Sequence, residues 1–175
     1  MRDLVAGIIA VALLLVALSL ATTLHFFRRR RLRAREAEGE MGRTVIAEIP
    51  AAEDLVLFSE DAGAFHYGTT VIAKDSIAAA RVLINGIPIA AVVSRKYRDS
   101  LSLQPTSFED HPEGIARDRW DVAIEKPDGT VLVECGAIRE RVSQELARAI
   151  FDAVKRDLER RDAAAHHSVS ATPPR

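Results

Sequence analysis

The chain has 175 residues, 48% of them apolar and 28% charged, with a formal net charge of −1. That length and composition fit one domain of ordinary size plus an accessory segment, and they exclude a wholly disordered chain. Cys135 is the single cysteine, which excludes an intramolecular disulfide and a multi-cysteine metal site, and no two of the five histidines have the i, i+4 spacing of a helical zinc site.

After a three-residue N-terminus (1–3), residues 4–27, LVAGIIAVALLLVALSLATTLHFF, carry no charge. As a helix rising about 1.5 Å per residue this run reaches roughly 36 Å, enough to cross a hydrocarbon layer of about 30 Å. The spacing predicts a transmembrane helix over 4–27. Ser19-Leu20-Ala21 would serve as a signal-peptidase site, but the run is longer than a signal core and ends in arginines, so an uncleaved anchor is expected.

Only Arg2 and Asp3 precede the run, whereas Arg28, Arg29, Arg30, Arg31, Arg33 and Arg35 follow it. By the positive-inside rule the N-terminus faces out and the rest of the chain is cytosolic, at the inner membrane of a bacterial cell. The lone thiol agrees with that compartment. The same arginines are candidate lipid contacts, each worth about 1 kcal/mol near an anionic surface. Ala6 with Ala10 and Ala17 with Ala21 offer small-residue faces for a homodimer through the anchor.

Beyond Arg35 stand 17 basic and 24 acidic residues, a net charge of −7. So acidic a surface is a poor partner for a polyphosphate backbone, and no nucleic acid is expected on the arginine block. Residues 28–43 read as a polybasic juxtamembrane segment and linker, with helix allowed as far as about Arg35.

Strand-like runs follow at 44–49, 55–58, 64–67 and 69–72. The runs 77–84 and 87–93 flank Asn85-Gly86, a strong hairpin signal because both residues tolerate positive φ. Arg81, Asn85, Gly86 and Pro88 argue against a second membrane span here. A polar stretch from Ser94 to Arg119 is long enough to be a functional loop. Residues 120–125 and 131–135 form a second hairpin around Asp128-Gly129. From Ile138 an apolar stripe at Val142, Leu146, Ile150, Phe151, Val154 and Leu158 predicts one long amphipathic helix, closing a cytosolic domain over 44–162. The tail 163–175 is expected to be disordered.

The fold class is therefore α+β: an N-terminal transmembrane helix, then a small antiparallel sheet or partly open barrel of about seven strands, capped by one long C-terminal helix. This pattern resembles the pleckstrin-homology-like superfold in its membrane-associated bacterial versions, carried by AFHYGTTVIAKDSIAAARVLING (64–86) and WDVAIEKPDGTVLVECGAIRERVSQELARAIFDAV (120–154). The resemblance implies a scaffold for protein or lipid contacts without catalysis. Lipid-binding members place a basic cluster on loops at the open end; the nearest equivalent here is Arg95, Lys96, Tyr97 and Arg98, opposed by nearby Glu109, Asp110 and Glu113.

Candidate chemistry is sparse. Cys135 would need a histidine such as His66 or His111 to act as a nucleophile, and its place in an apolar strand favours a buried, inert thiol. His66 is expected to alternate outward on its strand. Glu109, Asp110, His111 and Glu113 form a weak cation-binding pattern. Trp120 reads as a packing residue or as an anchor for a partner. The expected function is a membrane-anchored interaction or assembly module that binds a protein partner, without cofactor, nucleic acid or small-molecule substrate. The alternatives are a tethered enzyme using the 94–119 loop with Cys135 or His111, and an anionic-lipid sensor.

Overall fold

The computed structural model describes residues 2–51, 55–97, 119–137 and 140–170, with side chains described for 12–26, 28–51, 55–97, 119–137 and 140–165. The chain divides into two compact units, Met1–Gly42 and Arg43–Arg175.

The first unit is one unbroken helix, α1 (Arg2–Glu40). Leu13, Leu14, Val16 and Phe26 are each about two-thirds exposed, so no protein surface covers the apolar run among its described side chains, 12–26. Among the described residues α1 alone is long and apolar enough to cross a membrane. The hydroxyls of Thr22 and Thr23 both donate to the Ser19 carbonyl at 2.8 Å, which satisfies them without water.

Helix continues to Glu40, past the expected limit near Arg35, because Glu36, Ala37, Glu38 and Glu40 are good helix formers. It stops where glycine permits a left-handed residue: Gly42 has φ +72° and its N–H donates to the Gly39 carbonyl at 2.9 Å.

Among its described residues the second unit holds eight strands in two antiparallel sheets, where the sequence pattern suggested about seven. The first sheet is a meander of β1 (Thr44–Pro50), β2 (Leu55–Glu60), β3 (Ala64–Tyr67) and β4 (Thr70–Ala73). The second contains β5 (Ala79–Ile84), β6 (Ile87–Val93), β7 (Arg119–Lys126) and β8 (Gly129–Ala137) in the order β6-β5-β7-β8. β1 lies beside β8, but the two sheets do not join into one closed ladder. Asn85 and Gly86 have φ of 52° and 80°, so the first hairpin turns as its sequence demands. The second turns on Pro127 and Asp128, since Lys126 pairs with Gly129.

One core draws on both sheets and on α2 (Arg141–Ser170). Phe58 and Phe65 stack with ring centres 5.6 Å apart, joined by Ile72, Val122, Ile124, Val133, Ile150, Val154 and Leu158, all essentially sealed from water. Each such side chain contributes about 1.5–3 kcal/mol by burial.

The buried face of α2 runs through Ser143, Ala147, Ile150, Val154 and Leu158, while Val142 is 58% exposed. The expected stripe is thus rotated in the first turns, because small residues let the helix approach the sheet closely. Helix also continues through the expected tail to Ser170, helped by Ala163, Ala164 and Ala165.

Candidate interaction site

Two polar clusters fix α2 over the sheets. In the first, Lys74, in a single 3-10 turn after β4, is buried and its ammonium lies 4.7 Å from the centre of the Phe65 ring. Its Nζ donates to the Asp61 carbonyl at 2.6 Å and to Glu60 Oε2 at 3.3 Å, and stands 3.9 Å from Asp157 Oδ1. Asp157 is itself buried and accepts from Arg161 Nε at 2.8 Å. A buried lysine is tolerated because acceptors from β2, the β2–β3 turn and α2 surround it.

Asp61 shapes that turn. Its Oδ1 accepts from the N–H groups of Gly63 and Ala64 at 2.7 Å, and its Oδ2 lies 2.7 Å from His66 Nε2. The His66 hydrogen bond first, then those two backbone donors, hold the Asp61 carboxyl down to about 2. His66 lies on the strand face opposite the core phenylalanines, as alternation requires, yet it is buried by this pairing instead of being open to solvent.

In the second cluster Asp162 accepts from Ser94 Oγ at 3.1 Å and from the Arg95 N–H at 3.0 Å. The end of β6 and the 3-10 turn Arg95–Tyr97 are thereby tied to α2. Lys96 Nζ lies 5.0 Å from the centre of the Tyr97 ring. Arg98, His111 and the rest of 98–118 lie outside the described residues.

Between the first half of α2 and β5–β6–β7 a cleft of about 480 Å³ opens. Val82, Ile89, Ala90, Trp120 and Phe151 supply its apolar wall, and Gln144, Glu145, Arg148 and Asp152 its polar rim. A bulge creates part of this shape. Val82 pairs with Ala90 and Leu83 with Pro88, leaving Ile89 as the extra residue, 54% exposed and facing the cleft. Pro88 suits β6 because an edge strand can dispense with an N–H.

Trp120 pairs with Ile84 on one side and Gly136 on the other. Its Nε1 is buried without a hydrogen-bond partner among the described residues. Such an orphan donor costs about 1–3 kcal/mol. A second bulge follows, Trp120 pairing with Gly136 and Asp121 with Glu134, so that Cys135 is the unpaired residue.

Cys135 is 1% exposed, and burial, helped by the nearby Asp121 carboxylate, pushes its thiol up to about 12. It stays protonated at neutral pH and has no activated thiolate to offer. Its nearest polar contact is the Val133 carbonyl at 3.6 Å. His66 is engaged with Asp61. Asp121, raised by burial against the pull of Arg119, accepts from Arg119 Nε at 2.9 Å, and Arg119 Nη1 also reaches Glu134 at 3.0 Å. Among the described residues no three His, Cys, Asp or Glu side chains gather as a metal site; Glu109, Asp110, His111 and Glu113 fall outside them.

The sequence reading named Trp120 but not the residues that enclose it, and it did not foresee Lys74, Asp61 or Asp157. Asp61-x-Gly63 is a local turn signature that was open to reading; Lys74 and Asp157 meet only through the fold. No protein-family model, curated protein or solved structure matches the chain.

Proposed function

We propose that the protein is a single-pass, membrane-anchored interaction module at the bacterial inner membrane, with its N-terminus outside and a pleckstrin-homology-like domain in the cytosol. In this reading the α2–β6 cleft docks a protein partner and no catalysis takes place. The observation that carries it is Trp120: an aromatic side chain in the apolar wall of an open cleft with a charged rim. The helix α1, with six arginines after its apolar run and only Arg2, beside Asp3, before it, supports the topology. The inert setting of Cys135 weighs against the enzyme alternative.

Affinity purification of the full chain from its membrane, wild type against W120A and R148E, tests the docking site. A partner retained by the wild type and lost from both variants is expected; retention by all three removes the cleft from the proposal. Protease treatment of sealed inner-membrane vesicles tests the topology, with the 43–175 unit digested only when it faces the cytosolic side.

A further inference from the structure

The membrane-spanning reading leaves open what the six arginines touch, and the helical state of residues 28–35 bears on that question. All six side chains are exposed on α1. At about 100° per residue, Arg28, Arg35 and Arg31 occupy one half of the circumference, and Arg29, Arg33 and Arg30 the other. They span only about 10 Å along the axis. The positive charge therefore forms a collar, closed around the helix, directly at the end of the apolar run.

A folded partner reads one side of a helix and would leave the opposite arginines unanswered. A lipid annulus meets every side. We propose that this collar is a binding site for the phosphate headgroups of anionic phospholipids, gathering them around α1 in preference to zwitterionic ones. The proposal rests on α1 spanning the membrane. Charge complementarity supplies the attraction; Arg28, Arg29, Arg30 and Arg31, in the first turn beyond the apolar residues, stand at the phosphate level, and Arg33 and Arg35 reach back to it with their long side chains. Guanidinium also pairs with phosphate through two parallel N–H donors, which lysine cannot do.

The test uses the full chain reconstituted in vesicles of phosphatidylcholine with phosphatidylglycerol, with spin-labelled versions of each lipid reporting association by electron paramagnetic resonance. The expected result is a preference for phosphatidylglycerol of at least about twofold at low salt, reduced at high salt. Two triple variants, R28Q/R31Q/R35Q and R29Q/R30Q/R33Q, each strip one half of the collar, and both should lose a similar part of the preference. Equal association of both lipids with the wild type overturns the proposal. So does complete loss in one variant with no change in the other, which marks a one-sided partner. Retention of the detergent-solubilised wild type on duplex DNA at about 0.15 M salt overturns it in favour of nucleic acid. Release of the wild type from vesicles by a carbonate wash removes the membrane-spanning reading and the collar together, whereas retention with equal lipid association removes the collar alone.

Discussion

A Cβ built on Gly136 would stand 2.6 Å from Oγ of Ser143, closer than real Cβ contacts allow. The glycine also holds φ +113°, a conformation that side chains resist. Its bareness lets the first turn of α2 seat against β8. G136A should destabilise the domain by about 2 kcal/mol or more, read as an earlier urea midpoint in the fluorescence of Trp120, the chain's single tryptophan. S143G in the same background should recover part of the loss, because it relieves the contact but not the backbone strain.

Lys74 binds the first sheet to the second half of α2 through Glu60, the Asp61 carbonyl and Asp157. K74M leaves the buried Asp157 carboxylate with Arg161 and Arg160 as its cations, and should cost about 1–3 kcal/mol through the lost hydrogen bonds to Glu60 and the Asp61 carbonyl. Adding D157L should cost less than the two single losses combined, since the interaction of Lys74 with Asp157 is then lost only once. Denaturant titrations of the four proteins give the coupling; strict additivity would show that the pair does not interact.

Asp61 ionises at about 2 in the folded domain against an ordinary 3.8, chiefly through His66. A lowered folded value means that the carboxylate stabilises the fold fully above about pH 4, and that this contribution is lost as pH falls towards 2. D61N should therefore flatten the decline of the thermal midpoint between pH 4 and pH 2, while lowering the midpoint at neutral pH. Parallel acid limbs in the two proteins would contradict this role.

Cys135, pushed up to about 12 by burial, should resist thiol reagents in the folded protein. At pH 8 its thiolate fraction is roughly one in ten thousand. Labelling with a maleimide should be slow in buffer and fast in denaturant, where the same single thiol is exposed. Rapid labelling of the folded form would return Cys135 to candidacy as a nucleophile.

The legible parts of this fold were those with local causes. Asn85 and Gly86 announce their hairpin because both must hold positive φ, and the uncharged run 4–27 announces a membrane-length helix by itself. The end of α1 was less clear, since the glutamates and alanine of 36–40 carry no apolar periodicity yet favour helix as strongly as any residues. The face of α2 was misjudged in its first turns for a related reason: Ser143 and Ala147 are small enough to be buried without registering as an apolar stripe, and they displace Val142 outward. Bulges at Ile89 and Cys135 depend on pairings that no single strand encodes. The setting of Trp120, like the meeting of Lys74 with Asp157, depends on segments far apart in sequence.

The absence of a break at Phe27 has a mechanical meaning. Residues 28–40 add about 20 Å of continuous helix beyond the apolar run, while the headgroup layer on one side of a bilayer is only about 6 Å deep. In the membrane-spanning reading α1 therefore does not end with the bilayer: its last two turns or so stand in open water, as a stiff rod and not a slack tether.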